Sequence, residues 1–361
     1  MDLILLLVPA VAVDVYRNRN YRATAAGFLP LVLWLFFSLV YYGFLFPNSA
    51  YAKLSTGLGR VVYLGQGMRY MFDAFYRDTL TLVSILSVAM AGLFLKSAEK
   101  RAVAAGLLLY LLYVVWVGGD FMRGRFLTVP LVGAVGLLLE TDLFTKRRLR
   151  FAVLPVVVAL GFQNPVPNIL AGKSSYNRVN KTMYHGITDE RLYYLENVSL
   201  FFGKPLSQQA GHDMSALRER QSIEVTRVKY TFTAGIAGLN AGPGTYLIDQ
   251  WALGDALLAR LPMLENRWRI GHFPRVAPAG YVLSLVTGEN HVRDEKIHQY
   301  YDHLRRITRG PVFNLRRLKT IVAMNLGRYD SLVRGHNSYL PIDKREYAEI
   351  VDADLNACGP R

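Results

Sequence analysis

Apolar and polar positions divide the chain in two. Up to about residue 162, apolar stretches alternate with short charged loops, and beyond it the pattern is that of a water-soluble domain. Residues 24–46 (TAAGFLPLVLWLFFSLVYYGFLF) form the clearest membrane span, since a helix needs about twenty apolar residues to cross a bilayer. Residues 79–95 and 102–117 read as further spans, and residues 3–15, 127–139 and 151–162 as shorter ones. Short spans are accommodated by a thinned bilayer or by extension into their flanks. Residues 3–15 have no basic region before them and no small-residue cleavage site, so they read as the end of a transmembrane helix and not as a signal peptide. The first half is therefore expected to be a membrane α-helical bundle of about six spans.

Residues 57–78 (GLGRVVYLGQGMRYMFDAFYRD) differ from the spans. Val61, Val62, Leu64, Met68, Met71, Phe72 and Phe75 make an apolar stripe at helical spacing, with Arg60, Arg69, Asp73 and Arg77 on other faces. Such a helix lies on the outer leaflet or packs onto the soluble domain.

The loops between spans are of two kinds. Residues 16–22 (YRNRNYR), 96–101 (KSAEKR) and 145–150 (TKRRLR) are plainly basic, the mark of the cytoplasmic side. Residues 46–53 (FPNSAYAK) and 118–126 (GGDFMRGRF) are chemically richer and alternate with them. The richer loops and the soluble half then share the exterior side of a multi-pass plasma-membrane protein.

The second half, residues 163–361, reads as a mixed α/β exterior domain. Pro165, Pro167 and Gly172 mark the exit from the last span. Residues 188–202 start with a helix N-terminal signal, and residues 221–232 and 245–248 read as strands. Residues 294–309 are an amphipathic helix with Ile297, Tyr300, Tyr301, Leu304 and Ile307 on one face, and residues 314–325 and 343–357 are two more helices.

Charge and cysteine content narrow the possible functions. The net charge is +15: residues up to Phe162 carry 16 Lys and Arg against 8 acidic residues, and the rest 26 against 19. Neither half concentrates a basic stripe with interleaved aromatics, which excludes a nucleic-acid partner. Positive charge beside a bilayer suits lipid head groups and phosphates. With the single cysteine, Cys358, neither an intramolecular disulfide nor a cysteine zinc site can form. All seven histidines follow residue 162 without zinc spacing, so no metal ligands are assigned; a divalent metal stays open as the one possible cofactor.

Candidate chemistry sits on the exterior loops. Gly118 and Gly119 allow a tight turn beside Asp120, Arg123 and Arg125. Charges at a membrane boundary mark function by default, and guanidiniums bind phosphate bidentately. Those three residues, with Asn48 and Lys53 of the 46–53 loop, are the candidate contacts to a phosphate and its sugar. The bland reading is a self-satisfied Asp–Arg pair in a helix hairpin. In the soluble half, residues 248–255 (IDQWALGD) and 267–275 (RWRIGHFPR) place Asp249, Trp251, Asp255 and His272 as candidate glycan contacts, a tryptophan beside carboxylates being suited to sugar.

These loops carry a resemblance. FPNSAYAK after a transmembrane helix, GGDFMRGRF between two others, and IDQWALGDALLARLP followed by RIGHFPR resemble the actinobacterial membrane arabinofuranosyltransferases that add terminal β-1,2 residues to cell-wall arabinan, GT-C glycosyltransferases. The likeness runs from about residue 24 to residue 330. It implies decaprenyl-phosphoryl-arabinofuranose as donor, arabinan of arabinogalactan or lipoarabinomannan as acceptor, and a lipid bilayer around the first half. It also implies acidic catalytic residues in a first exterior loop, after a first helix. Neither is found in this sequence, which therefore reads as N-terminally truncated, and no residue here is assigned as the catalytic base. Two alternatives stay open: a related transferase for another polyprenyl-phosphate sugar such as mannose, and a non-catalytic, membrane-anchored glycan-binding fragment.

Overall fold

The computed structural model describes residues 3–141, 147–162, 184–190, 227–231, 235, 238, 241–263 and 268–334. The chain divides into two compact units, Met1–Leu29 with Leu58–Glu196 and Arg269–Gly271, and Pro30–Gly57 with Asn197–Trp268 and His272–Arg361.

The described residues are mostly helical. α1 (Ile4–Asn18) is followed by α2 (Tyr21–Tyr41), a 21-residue helix whose Leu29, Val32, Leu33, Trp34, Phe36 and Phe37 are all exposed. Among the described residues, α2 is the one helix long and apolar enough to cross a membrane by itself. After α3 (Asn48–Leu54) come α4 (Arg60–Arg77) and α5 (Thr79–Gly92), which meet the same test only jointly, across a 109° bend. α6 (Ala98–Trp116), α7 (Thr128–Leu139) and α8 (Arg147–Phe162) complete the helices of the first half. The geometry gives no support of its own for six spans. At about 1.5 Å rise per residue, the 14 residues of α5 and the 12 of α7 fall short of a hydrocarbon core about 30 Å thick. Two loops are more ordered than their sequence suggests: α3 occupies most of the 46–53 stretch, and α8 begins inside the basic 145–150 segment.

In the first unit α1, α4, α5 and α7 pack on α6 around Tyr70, Ile85, Ala89, Leu107, Val114 and Leu127. Small residues set how closely the helices approach: a Cβ at Gly106 would strike the Leu6 carbonyl of α1, and one at Gly67 the backbone of Val115. Close backbone approach over Gly and Ala is the packing mode of helices in lipid, where apolar burial supplies no drive. The stripe on α4 faces outward. Val61 is 81% exposed and Met68, Phe72 and Phe75 are exposed, while Gln66, Gly67, Tyr70, Asp73 and Ala74 are buried. The amphipathic helix is where the pattern places it, and its polar face turns inward.

The second unit holds a parallel pair, β1 (Arg227–Thr231) and β2 (Thr245–Asp249), in register Arg227 opposite Thr245 through Thr231 opposite Asp249. α9 (Tyr281–Thr287) packs on β1, and α10 (Glu295–Arg309) packs on α11 (Leu315–Asn325). Asp294 and Asn314 cap the last two helices by accepting from backbone N–H groups of their first turns. Ile297, Tyr300, Tyr301, Leu304 and Ile307 are all buried, as the periodicity of α10 requires. The helix expected over 188–202 beyond residue 190, the helix expected over 343–357, the loop exit at Pro165, Pro167 and Gly172, and Cys358 lie outside the described residues.

Two buried arginines fasten this unit. Arg317 donates to the carbonyls of Val40 and Tyr41 at the end of α2, at 2.7 Å each, and to those of Ile307 and Val312. Arg275 donates to Ala52 and Ser55 at the end of α3, and to Leu261 and Phe273. Helix C-termini leave carbonyls without intrahelical donors, and each guanidinium fills several of them.

The packing of α1 on α6 gives a first prediction. Gly106→Leu forces the Leu6 backbone away, and a loss of at least about 1–3 kcal/mol is expected from overpacking, read as a lower unfolding temperature in detergent. An unchanged midpoint would show that α1 does not pack there.

Candidate functional site

The 118–126 loop leaves α6 through Gly118 and Gly119, both with positive φ (89° and 69°). A side chain at Gly119 would collide with the Tyr70 ring, so the turn closes directly over α4. Backbone bonds between Phe121 or Arg123 and Thr188 pin the loop to the 184–190 segment, at 2.8 and 3.1 Å.

Two ion pairs result. Asp120 is 2% exposed and meets Arg125 through both oxygens, Nη2 to Oδ1 at 2.6 Å and Nε to Oδ2 at 2.5 Å. Arg123 donates two hydrogen bonds to Asp73 of α4, Nε to Oδ2 at 2.8 Å and Nη2 to Oδ1 at 3.1 Å. The Tyr70 hydroxyl donates to the Met122 carbonyl and accepts from the Phe126 N–H, both at 3.2 Å, so its side chain ties the loop to α4. The two guanidiniums differ in access. The Arg123 side chain is 10% exposed, whereas that of Arg125 is 42% exposed and lies over the rings of Phe121 and Phe126. Arg125 thus keeps a face open to an anion while Asp120 holds its orientation.

The other candidates belong to the second unit. Asn48 opens α3: its amide donates to Gly254 O at 3.1 Å and its Oδ1 accepts from Arg260 at 3.0 Å. Lys53 lies in the last turn of α3. Asp249 ends β2 and accepts from the N–H groups of Trp251 and Leu253, shaping the turn that follows. Trp251 and His272 stand edge to face, ring centroids 5.0 Å apart, both partly accessible. Asp255 is completely buried; it accepts from the Leu257 and Leu258 N–H groups and from the Tyr281 and Tyr246 hydroxyls. Burial raises its pKa against the pull of those hydrogen bonds. Among the described residues no cluster of three or more His, Cys, Asp or Glu could hold a metal ion.

Comparison with known proteins gives one distant relative. The chain is 28% identical over 226 residues to a terminal beta-(1->2)-arabinofuranosyltransferase of Mycobacterium tuberculosis. The match covers 53% of this chain and 35% of that protein's length. The chain is thus distantly related to a glycosyltransferase. No family profile and no solved structure matches.

The sequence singled out Asp120, Arg123 and Arg125 but not the groups on α4 that complete the arrangement. Asp73 and Tyr70 sit three residues apart, with Gln66 one turn before, so one helical face carries all of them. That spacing was the available signal, hidden by the stronger apolar stripe beside it. Arg260 lies in the IDQWALGDALLARLP stretch, where local spacing gives no sign of its burial.

Removing one partner of a buried pair strands the other charge. Asp73→Ala is expected to cost about 3–5 kcal/mol, and Asp73→Leu with Arg123→Met to recover most of it. Unfolding midpoints in detergent check this, and equal losses in the single and double variants would contradict it.

Proposed function

We propose that the chain is part of a membrane glycosyltransferase that moves arabinofuranose from decaprenyl-phosphoryl-arabinose to cell-wall arabinan. The observation that carries the reading is the 226-residue relationship to the mycobacterial enzyme. The reading includes a GT-C-like membrane part over residues 1–162, about six spans, and an extracytoplasmic part over residues 163–361. The outward apolar faces of α2 and α4 and the small-residue packing of α4 and α1 on α6 support the membrane placement.

In this reading Arg125 contacts the donor phosphate. The anomeric carbon already carries a phosphate leaving group, so the enzyme must hold that phosphate as its bond to the sugar breaks. Arg125 has an open face and a carboxylate that fixes its orientation, and Arg123 acts as a positioning residue through Asp73. Trp251 and His272 offer ring surface for the acceptor, with Asp249 fixing the backbone of Trp251.

The test is transfer from synthetic decaprenyl-phosphoryl-arabinofuranose to an arabinan oligosaccharide, with the chain expressed in its native genomic reading frame. Product is expected, and Arg125→Ala is expected to lower the rate about a hundredfold, the usual effect of losing one donor to developing charge. Product from polyprenyl-phosphoryl-mannose instead would replace the sugar in this reading. An unchanged rate for Arg125→Ala would remove that residue from the donor site.

A further inference from the structure

Arg260 is a buried cation whose partners are incomplete. It is 6% exposed, and its Nη1 donates to Asn48 Oδ1 at 3.0 Å and to Ala256 O at 2.7 Å. Among the described residues its Nη2 has no hydrogen-bond partner. Among the described residues no carboxylate pairs with it. The guanidinium carbon lies 3.7 Å from the centroid of the Phe44 ring and 4.3 Å from that of Tyr51, contacts that offset part of the cost of burial. Arg275 and Arg317 in the same unit each donate to four backbone carbonyls. Arg260 donates to one carbonyl and one side-chain amide, and it lines a cavity of about 100 Å³.

The cavity wall has the chemistry to receive a small anion. Tyr51, Ser55 and Tyr300, which carry hydroxyl groups, line it together with Asp330 and Arg334. Those last two are paired at 2.7 Å, and Asp255, the buried carboxylate whose charge acts on Arg260, makes no ion pair with it among the described residues. A buried guanidinium with a spare donor beside a cavity is costly unless something negative completes it. We infer that this pocket binds a small oxyanion, a phosphate or carboxylate group seated on Arg260. The inference goes beyond the transferase reading and holds whichever sugar is moved.

The experiment is calorimetric titration of the purified full-length protein with inorganic phosphate, with acetate and decaprenyl phosphate in nanodiscs as separate arms. Saturable binding of phosphate or acetate is expected with Kd of about 1 mM or tighter, and at least about tenfold weaker binding in Arg260→Gln. Asp330→Asn frees Arg334 and is expected to tighten binding a few-fold, a change that a merely structural pocket would not give and one that decides the matter if Arg260→Gln fails to fold. Competition by decaprenyl phosphate assigns the anion to a lipid, and binding indifferent to it assigns a soluble one; either supports the pocket. No saturable binding of any probe, or binding unaltered in both variants, overturns it.

Discussion

A guanidinium withdrawn from water must have its donors filled, and both units are organised by that requirement. The first unit answers it with carboxylates. Asp73 takes a fork of two N–H groups from Arg123, and Asp120 takes one hydrogen bond and a close ion-pair contact from Arg125, so a loop between two helices carries its charges paired. The second unit answers it with the backbone. Arg317 and Arg275 gather the carbonyls that end α2 and α3, and so tie those helices to the core formed with α10 and α11.

The two solutions have different chemical consequences. A guanidinium saturated by carbonyls is a structural post and has nothing left for a ligand. One paired side-on with a carboxylate is aimed, and if half-exposed, as Arg125 is, it presents its remaining donors in a fixed direction. Preorganised charge of this kind is what holding a phosphate leaving group requires, because reorienting donors during the reaction would cost much of their benefit. Arg260 meets neither condition in full, which is why its cavity stands out from the rest of the unit.

Much of this was legible in the sequence where one period dominates. The five buried positions of α10 follow from 3.6-residue spacing alone, and the Asp294 and Asn314 caps from the residue types that precede each helix. Span counting was less secure. A run of apolar residues shows that a segment avoids water but not how many residues stay helical: α5 stops at Gly92, short of residue 95, and α7 fills its 127–139 run with only 12 helical residues. The partner of Arg123 was hidden for another reason. Asp73 lies 50 positions away, on the buried polar face of a helix whose apolar stripe is the stronger local signal. Pairings across such separations depend on tertiary packing, which local pattern does not encode.

In the proposed transferase, the loop carrying Asp120 and Arg125 faces a polyprenyl phosphate. The most direct measurement is photo-crosslinking of the full-length protein in its membrane with a decaprenyl phosphate bearing the photoreactive group next to the phosphate, followed by peptide mapping. Labelling concentrated on the 118–126 peptide, and displaced by excess unmodified decaprenyl phosphate, is the result this account requires. Displaceable labelling that maps elsewhere and leaves that peptide untouched would contradict it.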